Sequence, residues 1–110
     1  MLARILTPFI RRVEVRGDSM APTYVEGEVV TAFRRWRKVR VGDVVVLSDP
    51  RSTGRLLLKR CRARHGSRID VRGDNAAAST DSREFGPVEI KNVTWLIYAP
   101  RAPIDPTMDS

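Results

Sequence analysis

Two residues in this 110-residue chain could serve as a nucleophile and a base, and each also has a plainer reading. Ser19 stands in Gly17-Asp18-Ser19-Met20-Ala21-Pro22-Thr23. Ser is a strong N-cap and Pro suits a first turn, so the segment predicts a capped turn after Asp18. A Ser on such a turn is exposed, with backbone N–H groups that can face a developing oxyanion. An ordinary capped turn would carry the same residues. Lys59 stands in Arg55-Leu56-Leu57-Leu58-Lys59-Arg60-Cys61. On a strand, Leu57, Lys59 and Cys61 share one face, and Leu58, Arg60 and Arg62 the other. The lysine therefore lies on the more apolar side. Desolvation there lowers an amine pKa and makes the neutral form accessible, which an always-protonated Arg could not provide. A lysine snorkelling from an edge strand is the alternative.

A third stretch, Val71 to Gly86, is polar and rich in small residues, fitting either a functional loop or a surface excursion. Within it Asp81 and Arg83 can pair and brace the loop, and Ser79 and Ser82 can hydrogen-bond locally. Two rival reactive groups are weaker. His65, the only histidine, falls in Arg64-His65-Gly66-Ser67, which reads as a hairpin turn. Cys61, the only cysteine, has no histidine placed to activate it, and small buried cysteines are common.

The elements that must hold these residues are short strands. Alternation over Arg12 to Arg16, the β-branched run Val29 to Phe33, Val44-Val45-Val46-Leu47, the run from Leu56 through Cys61, Ile69-Asp70-Val71 and Val93 to Tyr98 are separated by Gly, Pro and Asp. This spacing predicts a single, mainly antiparallel β domain over residues 13–98. It leaves residues 1–12 as an N-terminal segment compatible with a short helix. Residues 99–110, with three prolines and no periodicity, read as a loose C-terminal tail. The length allows one compact domain. One cysteine excludes an internal disulfide and a multi-cysteine zinc site. The first ten residues, interrupted by Arg4 and Pro8, are too short to span a bilayer and lack the form of a signal peptide.

The charge is +7, from 20 Lys and Arg against 13 Asp and Glu, and 17 of the 20 cations are Arg. An excess of this size invites an anionic partner. Its densest run, Phe33-Arg34-Arg35-Trp36-Arg37-Lys38-Val39-Arg40, could grip phosphates and stack a base, or form a solvated loop. No helix-turn-helix, zinc-finger or RNA-recognition signature accompanies it, so nucleic acid is not the expected partner.

Taken in order, the segments resemble the boxes of type I signal peptidases. Gly17-Asp18-Ser19-Met20-Ala21-Pro22-Thr23 is similar to their serine box, and Val41-Gly42-Asp43-Val44-Val45-Val46 to the strand motif that follows. Leu57-Leu58-Lys59-Arg60 is similar to their lysine box, and Gly73-Asp74-Asn75 with Ser79, Asp81-Ser82-Arg83 and Phe85-Gly86 to their closing box. The resemblance covers roughly residues 13–97. It implies the β fold of the signal peptidase and LexA-like catalytic core and a Ser–Lys dyad without cofactor or metal. Ser19 would be the nucleophile, with its backbone N–H an oxyanion donor, and Lys59 the general base and later acid. Ser79 would direct the lysine amine, and Asp81 and Arg83 would support the loop. Some relatives carry a second oxyanion hydroxyl two residues before the nucleophile. Gly17 stands there in this chain, which leaves the second donor open.

The chain departs from the usual family pattern in having few residues ahead of the serine box and only 13 between Lys59 and Gly73. In this it resembles short, anchorless forms such as the maturation protease of nickel superoxide dismutase. The resemblance then implies a bacterial, cytoplasmic serine endopeptidase that removes an N-terminal extension from a precursor, nickel superoxide dismutase being the expected substrate. Peripheral membrane contact is compatible with the N-terminal stretch. The rivals are a signal peptidase acting on secreted preproteins, self-cleavage as in LexA-like repressors, against which the sequence shows no DNA-binding domain or long N-terminal arm to cleave, and a non-catalytic basic β module that binds nucleic acid through Arg34, Arg35, Trp36 and Arg37.

Overall fold

A computed structural model describes residues 8–35 and 37–104. Seven strands form one sheet: β1 (Ile10–Glu14), β2 (Val29–Arg34), β3 (Val44–Ser48), β4 (Leu56–His65), β5 (Arg68–Arg72), β6 (Val88–Glu89) and β7 (Val93–Ile97). Their order across the sheet is β1-β2-β7-β3-β4-β5-β6, and every neighbouring pair is antiparallel. The expected mainly β, antiparallel domain is what the chain forms. Among the described residues, helix is confined to one turn, α1 (Ser82–Phe85), and two short 3-10 turns at Ala76–Ala78 and Ile90–Asn92. The strand β1 takes up residues 10–12 of the segment expected to be compatible with a short helix and runs on into the predicted β domain; residues 1–7 lie outside the described residues.

The continuous apolar run of β3 follows from burial on both faces. Val45 and Leu47 enter one hydrophobic cluster with Leu57, Cys61, Ile69, Val71 and Leu96. Val44 and Val46 enter a second with Val15, Met20, Tyr24, Val30 and Ile97. A strand buried on both faces reads as unbroken Val and Leu rather than as an alternation. On β4 the alternation expected from the sequence is realised: Leu57 and Cys61 belong to the first cluster, while Leu58 packs against the second.

The C-terminal segment corrects the expectation of a loose tail as far as it is described. The Arg101 N–H donates to Tyr24 Oη at 2.8 Å, and its guanidinium donates to the Thr23 carbonyl at 2.7 Å and pairs with Glu28. The same guanidinium lies 4.6 Å from the Tyr24 ring centroid. Ile104 N–H donates to Thr23 Oγ1 at 3.1 Å. These are individual side-chain matches, which neither periodicity nor composition reveals.

Arg60, beside Lys59 on the opposite face of β4, is only 3% exposed. It binds Asp74 through two hydrogen bonds of 2.9 Å and also donates to the carbonyls of Gly42 and Arg101. Removing one partner of a buried pair strands the other charge, at a cost of about 3–5 kcal/mol. Arg60→Ala is therefore expected to lower unfolding stability by about that amount. Arg60→Ala combined with Asp74→Ala should cost less than the sum of the two single changes, and urea denaturation of the three variants checks both statements.

Candidate active site

The serine turn is anchored from within. Met20 and Tyr24 are 1% exposed and sit in the second cluster, which fixes the backbone on either side of the bend. Within the turn, Ala21 N–H donates to the Asp18 carbonyl and Tyr24 N–H to the Met20 carbonyl. Gly17 has φ +75° and its N–H donates to Glu26 Oε1 at 2.8 Å. That backbone conformation favours glycine, since an L side chain there is strained. Ser19 thus stands half-exposed at the rim of a cleft of about 440 Å³, which Lys59 also lines. Among the described residues its N–H has no hydrogen-bond acceptor, so that donor is available to a substrate oxygen.

Lys59 is 3% exposed. Its Nζ donates to Ser79 Oγ at 2.9 Å. Ser79 in turn donates to Asp81 Oδ2 at 2.6 Å and accepts from the Gly73 N–H at 3.2 Å. A hydroxyl has one donor and two acceptor positions, and all three are used. Because an ionised carboxylate only accepts, Ser79 must give its proton to Asp81 and meet the lysine as an acceptor. One N–H of Lys59 is thereby aimed at Ser79, which leaves the lone pair of a neutral amine free to turn toward the cleft. Ser19 Oγ and Lys59 Nζ share the cleft without a hydrogen bond between them in this structure. Such contacts often tighten only with substrate present.

Electrostatics favour that neutral amine. Burial pushes the Lys59 pKa below the ordinary lysine value; the charge of Asp81 raises it, and Arg51, Arg55 and Arg83 lower it further. Asp81 behaves in the opposite manner. Burial opposes its ionisation, but hydrogen bonds from Arg83, Ser79 and the Gly73 N–H outweigh that and hold its carboxyl below the usual range. Its Oδ atoms accept from Arg83 Nε at 2.9 Å, from a terminal guanidinium nitrogen at 2.6 Å and from the Arg83 N–H at 3.1 Å, the last as the N-cap of α1. The expected bracing pair of Asp81 and Arg83 is present, and Ser82 ties α1 to β5 by accepting from the Val71 N–H at 2.9 Å.

Gly73, Asp74 and Asn75 have roles that sequence reasoning did not assign. Asn75 N–H donates to the Ser19 carbonyl at 2.9 Å, and its side-chain amide donates to the Asp18 carbonyl at 3.1 Å. A Cβ on Gly73 would fall 2.4 Å from the Ser19 carbonyl oxygen and 2.4 Å from Ser79 Oγ. The glycine therefore permits the serine turn and the lysine's partner to approach one backbone from two sides. A Gly-Asp-Asn run ending four residues before a serine was the available signal, but contact with Ser19, over 50 residues away, is not legible in it.

The other reactive residues are placed elsewhere. His65 ends β4, exposed, six strand residues from Lys59, a separation on the order of 20 Å. Cys61 is fully buried, and burial raises its thiol pKa to about 11. In the basic run, Arg37 is engaged by Asp43 through hydrogen bonds of 2.9 and 3.0 Å, and Trp36 lies outside the described residues. Among the described residues no cluster of His, Cys, Asp and Glu could hold a metal ion, and no helix is long and apolar enough to cross a membrane.

Comparison with known proteins shows which family the chain is similar to. The family profile described as signal peptidase, peptidase S26, matches residues 1–75, a span that includes Ser19 and Lys59 and ends at Asn75. The mitochondrial ATP-independent inner membrane protease subunit 1a of Arabidopsis thaliana is 34% identical over 105 aligned positions, covering 72% of this chain and 62% of the relative. The chain thus spans less than two thirds of that relative's length.

Two outcomes are expected from the site's geometry. Gly73→Ala should lower kcat/KM by about 100-fold, because shifts of an ångström in reacting groups cost that much; unchanged activity would show that the close packing does not position Ser19 and Ser79. In the second, the rate should rise with pH as Lys59 loses its proton, with a limb below the ordinary lysine pKa. Asp81→Asn removes the charge that raises the Lys59 pKa and leaves Arg83 unpaired, so the limb should move to lower pH while the plateau falls. The pH profile of kcat/KM for both proteins checks the sign of this shift.

Proposed function

The chain belongs to the signal peptidase family, peptidase S26, and we propose that it is a serine endopeptidase using a Ser19–Lys59 dyad to remove an N-terminal extension from a precursor protein. The observation that carries the reading is Lys59: a buried amine with a lowered pKa, directed by Ser79, lining the same cleft as a half-exposed serine.

In the acylation step the Ser19 Oγ proton passes to the neutral Lys59 amine as Oγ bonds to the scissile carbonyl carbon. The carbonyl becomes a tetrahedral oxyanion, which the Ser19 N–H can stabilise. Lys59, now an ammonium, returns its proton to the departing amine as the C–N bond breaks and an acyl-enzyme forms. Water then attacks the acyl carbon, giving its proton to Lys59, and Ser19 recovers its proton as the acid product leaves. Ser79 accepts from the amine in its neutral or charged form, and Asp81 holds Ser79 in place throughout. Asp81 and Arg83 act in this scheme through the loop they brace, without contact with the reacting atoms. The precursor would lie extended beside the strands of the cleft, where main-chain pairing aligns the scissile bond.

For the substrate, the short span between Lys59 and Gly73 supports a nickel superoxide dismutase precursor processed in the bacterial cytoplasm. β4 turns into β5 through Gly66 and Ser67 alone, as the resemblance to minimal forms of the family leads one to expect. A second reading, cleavage of exported preproteins at a membrane, is favoured by the 34% identity to an inner membrane protease subunit. Incubation with each type of precursor, with the new N-terminus sequenced, separates the two.

Ser19→Ala and Lys59→Arg are each expected to reduce cleavage at least about 1,000-fold. Lys59→Met should be equally inactive yet at least as heat-stable as wild type, because a buried ionisable group is replaced by an apolar one of similar length. Full activity in Lys59→Arg would sink the Ser–Lys mechanism. Thermal unfolding and precursor cleavage, measured on the same preparations, make the comparison.

A further inference from the structure

Several arginines of this chain are committed to carboxylates at hydrogen-bond length: Arg37 to Asp43 at 2.9 Å, Arg51 to Asp49 at 2.8 Å, Arg60 to Asp74 at 2.9 Å and Arg83 to Asp81 at 2.6 Å. Two arginines lining the cleft of Ser19 and Lys59 are held differently. Arg16, three residues before Ser19, lies 3.5 Å from Glu14, and its side chain is 79% exposed. Arg55, four residues before Lys59, lies 3.7 Å from Asp49, and its side chain is 65% exposed. Both separations exceed the length of a charge-assisted hydrogen bond; the Arg16–Glu14 pair is exposed and contributes little, and the buried Asp49 is already bonded by Arg51 through both its oxygens. Each guanidinium can therefore turn to a new anion at small cost.

Their surroundings make such an anion welcome. Asp18 is the acidic residue lining this cleft, against Arg16, Arg51 and Arg55, while Leu57, Leu58 and Val15 supply an apolar floor. A second cleft of about 560 Å³ shares that floor and Arg16, and extends it toward Val46 and Trp95 between Arg12 and Glu14.

We propose that the cleft selects a protein segment bearing an acidic side chain within a few residues of the scissile bond, read by Arg16 on the serine wall and Arg55 on the lysine wall. The inference rests on the protease reading and narrows its substrate. Selection works in both directions, since a basic side chain at the same place meets Arg16, Arg51 and Arg55 as like charges.

The test uses fluorescent peptides of alanine and serine in which Asp, Asn or Lys is moved through the positions around one cleavable bond. Binding is measured to the full chain carrying Ser19→Ala, and cleavage is measured with the active chain. At one or two adjacent positions Asp should improve both binding and kcat/KM over Asn by about three- to tenfold, with Lys below Asn, and high salt should erode the difference. Arg16→Glu with Arg55→Glu should invert the Asp-to-Lys ratio, whatever its effect on absolute rates. Equal binding of the three peptides overturns the proposal, as does an Asp preference that survives the double substitution. Binding to phosphatidylglycerol vesicles that depends on Arg16 and Arg55, without any peptide preference, overturns it in favour of a lipid surface. If the Asp preference is found in binding while no peptide or precursor is cut, the protease reading fails and the acid-selective cleft stands.

Discussion

Asp81 has no exposed surface, yet its carboxylate accepts from the Ser79 hydroxyl, the Gly73 N–H and the Arg83 guanidinium and N–H. A buried carboxylate is tolerable only when its lone pairs are filled, and here the donors come from three separate points of one loop. That requirement sets the hydroxyl of Ser79 as donor to Asp81 and acceptor from Lys59. It also fixes the backbone at Gly73, against which the Ser19 carbonyl packs. Arg83 sits outside the cleft and still determines the state of the amine within it, because it keeps Asp81 ionised while adding to the positive field that lowers the lysine pKa.

The other side of the same loop is held by a second buried pair. Lys59 and Arg60 are adjacent on β4 and point to opposite faces, so one strand presents the amine to the cleft and the guanidinium to Asp74. Asp74 lies between Gly73 and Asn75, and Asn75 grips the serine turn through both its backbone and its side chain. Two neighbouring residues of a single strand thus set the Lys59 amine in the cleft and, through Asp74 and Asn75, brace the turn that carries Ser19. The bond from Arg60 to the Arg101 carbonyl brings the C-terminal segment into this arrangement, and Arg101 closes it by holding Thr23 and Tyr24 behind Ser19.

What the sequence could show follows from the range of each signal. The strands were legible because runs such as Val44-Val45-Val46-Leu47 and the alternation at Leu57, Lys59 and Cys61 are local consequences of burial. The apolar setting of Lys59 was legible for the same reason, and the pairing of Asp81 with Arg83 because the two are only two residues apart. Three features depend on contacts distant in sequence and left no local trace: the grip of Asn75 on Ser19, the burial of Arg60 against Asp74, and the fastening of Arg101 to Thr23. The two-residue strand β6 and the single helical turn α1 were missed because neither is long enough to show a period. The resemblance to a family supplied the roles of Ser79, Asp81 and Arg83; the geometry supplies a reason why such side chains belong there.

The excess of arginine acquires a physical meaning at this point. Asp49 with Arg51, Asp70 with Arg72 and Asp81 with Arg83 repeat one device, a carboxylate bonded by the guanidinium two residues later. An arginine in that position stays charged however deeply its partner is buried, whereas a lysine there could neutralise and leave the carboxylate stranded. In the proposed mechanism the opposite demand holds at residue 59, where a permanently charged group could never accept the proton of Ser19. The positive field of Arg51, Arg55 and Arg83 around that one lysine does not titrate with it, so it lowers the lysine's pKa at any pH where the fold survives. The division of labour between the two basic residue types is thus a consequence of which of them can lose a proton.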